Sequence, residues 1–241
     1  MEDKLAGLLD LFPRSYVLDA GFGDGHVAIR LASKHGLRVE AIDIVDHHLH
    51  KARENIARPG LPQGQVRARK MDYHHLESLP AETFDGIYTI ETFVHATDPE
   101  AVLAGGFRTL RPGGHLAMHE YDNELPEGSP KLMAHYMHKI NEIAAMPTNS
   151  LLRPRVLQRM LEDAGFTNVV VRGYSNNIRP MTRFFSMLAL IPCIFVIFLG
   201  LERYFINTTA GIGCYYGRKH WRYLAFSATK PGPSVEAPKD R

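Results

Sequence analysis

Cysteine is nearly absent from the sequence, and both residues fall late in the chain, at Cys193 and Cys214. Two thiols are too few for a disulfide framework or a zinc cluster. The chain must therefore rest on a hydrophobic core, and reduced thiols point to a reducing, cytoplasmic setting. An excess of charge of one sign is missing too: 28 Lys and Arg face 26 Asp and Glu, a net charge of +2. No basic run and no basic stripe interleaved with aromatics occurs, so no nucleic-acid partner is expected. Met1-Glu2-Asp3-Lys4 leads into a short amphipathic pattern rather than a long apolar one, so no signal peptide is read. Internal repeats are lacking as well. Histidine is plentiful, but His47-His48-x-His50 lies on a polar helix start and His74-His75 in a loop. His115 and His119 can share a strand face, yet no third ligand lies near, and no metal site is expected. At 241 residues, 45% of them hydrophobic, one α/β domain with room for a small cap is the default.

What the sequence does have is Val17-Leu18-Asp19-Ala20-Gly21-Phe22-Gly23-Asp24-Gly25-His26. A short apolar strand runs into an acidic residue and three glycines at alternate positions, and an amphipathic helix follows. Such a turn lets a ligand approach the backbone, and the helix start offers N–H groups without partners. The third glycine of a dinucleotide fingerprint would fall at His26, so that pattern is not met. The pattern is instead D-x-G-x-G-x-G, which resembles motif I of the class I S-adenosylmethionine (SAM) methyltransferases. That resemblance implies that Gly21, Gly23 and Gly25 pass under the methionine part of SAM and that acidic residues, Asp19 among them, serve its amino group and ribose.

Along the chain, a helix over 2–11 precedes the first strand, and Gly36 ends the helix after it. Strand two, 37–43, ends at Asp43 with Ile44 following, and Asp46 is expected to N-cap the next helix. Strand three, 65–71, ends at Met71-Asp72-Tyr73. Strand four spans 84–90. Asp98-Pro99 begins a helix to about Leu110, strand five covers 115–121, and helices are expected near 130–145 and 155–164. Strand six covers 167–174 and a last strand 221–229. The proline-containing tail from Pro231 is expected to be disordered. Strands alternating with helices mean a mainly parallel, seven-stranded Rossmann-like sheet with helices on both faces. Its ligand lies outside the carboxyl ends of the strands, where Asp19, Asp43, Asp72 and Glu91 converge. Asp43 can accept from both ribose hydroxyls.

Three further stretches extend the resemblance over about residues 15–122. Asp72 resembles the family's adenine contact, with Met71 or Tyr73 beside it to cover the ring. Phe84-Asp85-Gly86-Ile87-Tyr88-Thr89-Ile90-Glu91 resembles the post-strand-four motif, and Leu110-Arg111-Pro112-Gly113-Gly114 the following turn. Glu91-Thr92-Phe93-Val94-His95-Ala96 and His119-Glu120-Tyr121-Asp122 look most like the sterol 24-C-methyltransferases and related small-molecule enzymes. Those relatives carry an N-terminal segment that helps cover SAM, whereas this sequence starts almost at motif I, so that lid would be missing or replaced. If the stretch after strand four is helical, Glu91 and His95 share a face and form a charge-assisted acid/base pair. By alternation Glu120 and Asp122 share one face of strand five, with Tyr121 on the other.

From Phe184 to Leu201 the chain is uncharged. Its length would permit a membrane span. Its place between strands six and seven of one sheet argues against a crossing, and Pro192 is expected to divide it. A cap over an apolar pocket or a peripheral membrane contact remains, and both imply a lipophilic substrate. The expected division is therefore a SAM-binding core over 1–175, an apolar helical cap over 176–220, the last strand over 221–230 and a tail over 231–241. The expected activity is SAM-dependent methyl transfer to a lipophilic small molecule such as a sterol, terpenoid or polyketide, yielding S-adenosylhomocysteine. Glu91, His95 and Glu120 are the catalytic candidates. A non-methylating cyclisation on the same fold, or a non-catalytic SAM-binding partner, is the alternative.

Overall fold

The structure, a computed structural model, describes residues 1–58, 60, 64–123 and 131–232. The elements are α1 (Glu2–Leu9), β1 (Tyr16–Ala20), α2 (His26–His35), β2 (Arg38–Asp43), α3 (Asp46–Ile56), β3 (Val66–Lys70), β4 (Phe84–Ile90), α4 (Pro99–Thr109) and β5 (Leu110–Asn123), then α5 (Lys131–Ile143), α6 (Val156–Asp163), β6 (Thr167–Gly173), α7 (Ser175–Phe198), α8 (Ile206–Tyr216) and β7 (Trp221–Thr229). The strands form one seven-stranded sheet in the order β3-β2-β1-β4-β5-β7-β6. All pairs are parallel except those of β7, which runs antiparallel to both β5 and β6. The sheet and its helical cover are as the alternation of elements predicts. The tail beyond Gly232, and the expected helix start at Pro130, lie outside the described residues.

Both faces of the sheet are apolar, because helices cover both. On one side Val17, Val39, Ala41 and Ala117 pack with Leu5 and Leu9 of α1, Leu31 of α2 and Leu49 of α3. On the other Leu18, Ile87, Leu116 and Met118 pack with Val102 and Leu103 of α4 and Leu161 of α6. Adjacent residues such as Val17 and Leu18 go to opposite cores, as strand alternation requires.

Two local expectations are corrected. Val45, not Asp46, holds the N-cap position of α3 and has an extended backbone. The carboxylate that bonds this turn is Asp43, which accepts from the Val45 N–H at 2.9 Å, while Asp46 pairs with Lys70. Nor does Pro192 divide the apolar stretch, since α7 runs unbroken through both Pro180 and Pro192. A proline removes one helical hydrogen bond, but neighbouring turns continue where packing holds them. Here α8 lies along α7, and Ser186, Cys193 and Val196 are buried in that contact.

Candidate active site

The three glycines after β1 have positive φ, +92° at Gly21, +55° at Gly23 and +77° at Gly25, and they serve different ends. A Cβ on Gly21 would overlap the Thr92 side chain, which reaches over from the end of β4 and donates its Oγ1–H to the Gly21 carbonyl at 3.2 Å. A Cβ on Gly25 would stand 3.1 Å from the Ala52 Cβ, so this glycine draws α2 against α3. Around Gly23 no atom lies within 4 Å of such a Cβ. Its N–H donates to Asp43 Oδ2 at 3.0 Å, and the space over it is a cradle the chain does not fill.

Asp43 closes that cradle from β2. Besides Gly23 N–H, its carboxylate takes Val45 N–H and lies 3.1 Å from His48 Nδ1. A carboxylate has about four acceptor positions, so one stays available to a ligand hydroxyl. Ile44, half exposed beside it, offers an apolar face. Asp19 is different: it is buried beneath the turn and accepts from Tyr88 Oη at 2.6 Å. Burial pushes its carboxyl up to about 7, against the Tyr88 bond, and the nearby Asp43 charge adds to the rise. It supports the turn from below rather than facing the cradle.

At the end of β3, Asp72 Oδ1 accepts from the His74 N–H at 2.9 Å and contacts His74 Nδ1 at 2.7 Å. His74 Nε2 accepts the Thr97 N–H at 3.0 Å, so the proton of a neutral ring sits on Nδ1 and points to Asp72. This chain ties the β3 end to the loop after β4. Tyr73, expected beside a bound ring, is instead in the core, its hydroxyl donating to the Thr92 carbonyl at 3.2 Å. Met71 is half-buried against the same core. The open cradle, the acceptor at Asp43 and the α2 start, which no side chain caps, suit an adenosyl cofactor with a charged amino acid end.

Beyond β4 the expected helix shrinks to a 3₁₀ turn over Phe93–His95, and Glu91 takes φ +54°. Glu91 and His95 therefore do not form the expected pair. His95 Nδ1 lies 2.9 Å from the Ala145 carbonyl, and the Glu91 carboxylate lies beside the phenols of Tyr121 and Tyr223, the latter donating to Met1 Sδ at 3.4 Å. Burial, with Glu91 beside them, holds both phenols well above their usual range, so they remain protonated donors. Glu120, on the opposite face of β5, is fully buried. Its Oε1 accepts the Phe93 N–H at 2.7 Å, and its Oε2 has no partner. Burial raises this carboxyl to about 8, partly offset by the Phe93 bond. As a candidate acid or base Glu120 is corrected: it holds the turn that carries Thr92 and lines neither of the cavities described next. Asp122 is bound by Arg222 through two hydrogen bonds.

Glu91 and Tyr121 open onto two adjoining cavities of about 710 and 340 Å³. The larger lies under α7, between Phe185, Leu188 and Pro192 on one side and Trp221 and Tyr223 on the other. The smaller lies between α5 and α8 and includes His95, Tyr136 and Ile140. Asn207, Cys214 and Trp221 border both. Trp221 donates its Nε1–H to the Cys214 carbonyl at 3.0 Å, and burial raises the Cys214 thiol to about 11, so it stays uncharged. The structure brings Gly23 to Asp43 and Gly21 to Thr92, next in the chain to Glu91, and groups Glu91 with Tyr121, Trp221 and Tyr223 at the larger cavity. The last two could have been found from the alternation of Trp221-Arg222-Tyr223, because β7 pairs Tyr223 with Tyr121 and Trp221 with Asn123. Among the described residues no group of three or more His, Cys, Asp or Glu is arranged to hold a metal.

Residues 1–171 match the family described as "Methyltransferase domain". The S-adenosyl-L-methionine-dependent Diels-Alderase iccD of Talaromyces variabilis is 40% identical over 235 residues, covering 96% of this chain and 80% of that protein. The O-methyltransferase resE of Aspergillus sclerotiorum is 28% identical over 179 residues, 73% of this chain and 63% of that one. Among solved structures, the [4+2]-cyclase SpnF superposes with a TM-score of 0.73 at 20% identity, covering 96% of this chain and 80% of that chain.

Proposed function

Because the chain belongs to the SAM-dependent methyltransferase family, whose cofactor is SAM, we propose that it is an enzyme on that fold which binds SAM and closes a ring in a lipophilic, polyene-type substrate by [4+2] cycloaddition. The observation that carries this reading is the make-up of the larger cavity: mostly apolar walls, with Glu91, Tyr121 and Tyr223 grouped together among its few polar side chains. Such a site is suited to folding an apolar chain. A cycloaddition needs just that. Two carbon–carbon σ bonds form as three π bonds become one, and no atom or proton is gained or lost.

The protein's task is then to bring diene and dienophile into register, which in favourable systems supplies roughly 7–11 kcal/mol, and to exclude water. Phe185, Leu188 and Trp221 shape the bound chain, while Tyr121 and Tyr223 are protonated donors able to polarise a dienophile carbonyl. Gly21, Gly23, Asp43 and Ile44 would hold SAM, with Met71 and Asp72 at the adenine side. When bound, SAM supplies a sulfonium cation to the crevice. Support also comes from the extent of the match to iccD: with 235 residues aligned, it must include most of α7 and α8, which wall the cavity.

The test is incubation of the protein with SAM and a synthetic linear chain bearing a diene and an activated dienophile, followed by mass analysis. The expected product is an isomer of the substrate with SAM unconsumed. A product heavier by one methylene unit, together with S-adenosylhomocysteine, would establish methyl transfer instead and overturn the reading.

A further inference from the structure

Helix α7 has three distinct faces. Ser186, Cys193 and Val196 are buried toward α8, and Phe185, Ala189 and Pro192 wall the larger cavity. The third face carries Phe184, Met187, Ile191, Ile194, Phe195 and Phe198, spaced three and four apart, with exposures from 58% to 83%. This spacing makes one apolar stripe about 21 Å long. Isolated exposed apolar residues are ordinary, but a continuous stripe of this length marks a contact surface.

The charges along α7 itself have one sign. No acidic residue occurs from Ser175 to Leu201, and Glu202, which follows, is buried and paired with Lys139 at 2.7 Å. At the start of α7, Arg179 shares a small cavity with Arg218 and Lys219 of the turn that follows α8. Arg183 stands one turn along, and Arg153 and Arg155 line the next cavity past Ser175 and Asn176.

We propose that the stripe and this cationic collar dock the protein on an anionic lipid bilayer, with α7 lying in the interface. A crossing is excluded by topology, because β6 and β7 flank the α7–α8 segment in sequence and are neighbours in one sheet. A second copy of the chain would present the same stripe and the same cations, with no carboxylates to meet them. An anionic surface supplies both partners, hydrocarbon for the stripe and headgroup charge for the collar. The stripe adjoins the cavity face of the same helix, so a lipophilic substrate can pass from bilayer to cavity around α7. This last point deepens the proposed function. The docking itself does not depend on it.

The test is co-sedimentation of the full chain with vesicles of phosphatidylcholine alone or mixed with phosphatidylglycerol, an assay that contains no turnover. The wild type is expected to pellet with the mixed vesicles, less so as salt rises, and weakly with phosphatidylcholine. The double variant Ile191→Asp/Phe195→Asp should lose binding while keeping its melting temperature, since both side chains are exposed. The collar variant Arg179→Gln/Arg218→Gln/Lys219→Gln should bind the mixed vesicles about a hundredfold more weakly. The proposal is overturned if the wild type stays in the supernatant with both vesicles, or if both variants pellet as it does. It is equally overturned if the wild type is a dimer that Ile191→Asp/Phe195→Asp converts to a monomer without any vesicle binding.

Discussion

At Gly21 and Gly23 the same substitution should differ in its cost to stability. Alanine at Gly21 meets Thr92, so Gly21→Ala is expected to lower both stability and SAM affinity. Alanine at Gly23 meets nothing in the protein. Gly23→Ala should cost only the left-handed backbone strain of about 1 kcal/mol, or about 2–4 °C in melting temperature for a chain of this size, yet still weaken SAM binding by filling the cradle. Calorimetric melting and SAM titration of the pair would distinguish them. Glu91→Gln keeps the shape of the side chain beside Tyr121 and Tyr223 while removing its charge. Turnover should fall on the order of tenfold, the worth of one contact made by a charged group, with the SAM dissociation constant unchanged. Asp19 and Glu120 give the protein a pH signature. In the fold their carboxyls are held up to about 7 and about 8, whereas in the unfolded chain they ionise near pH 4, roughly their ordinary value. Unfolding therefore releases protons, and stability falls as pH rises from about 5 to about 8. Glu120→Gln removes one of the two groups and should shrink the drop in melting temperature across that range. These carboxyls were visible in the sequence as strand-end acids. Their burial was not, because alternation along β5 orders Glu120 and Tyr121 to opposite faces without saying which face holds the cavity.

Elements were more legible than the contacts between them. The parallel strands and their helices follow from glycine turns and apolar periods, and Asp98 caps α4 as its Asp-Pro pair predicts. The errors lie where a local rule met packing. A proline in isolation reads as a break, but Pro192 sits in a helix that packs against α8. Likewise four-residue spacing joins Glu91 to His95 only on a regular helix, and the left-handed backbone at Glu91 ends that possibility. Because Pro192 leaves the Leu188 carbonyl without its helical donor, Pro192→Ala should restore one backbone bond and raise the melting temperature by several degrees. A thermal shift assay would check it, and an unchanged or lower value would mean that the helix is already relaxed around the proline.

For the molecule as a whole, the expected division into a core and an apolar cap can be tested by a direct cut. The ends of β6 and β7 that flank α7 and α8 are paired, Gly173 with Leu224, so a short turn can replace residues 176–219 without moving either strand. The shortened chain is expected to bind SAM, as read by titration, and to lose all turnover of a lipophilic substrate. The core was readable because glycine and carboxylate spacing belongs to the cofactor. The substrate side was not, because Tyr121, Trp221 and Tyr223 come together only when β7 enters the sheet between β5 and β6. That entry also has a consequence in time. On the ribosome β5 and β6 emerge long before β7, so they wait with an open slot between them while the greasiest helix of the protein is already outside the exit tunnel. The nascent chain is at its most adhesive just before β7 arrives, which makes β7 the step on which its escape from aggregation or chaperone capture depends.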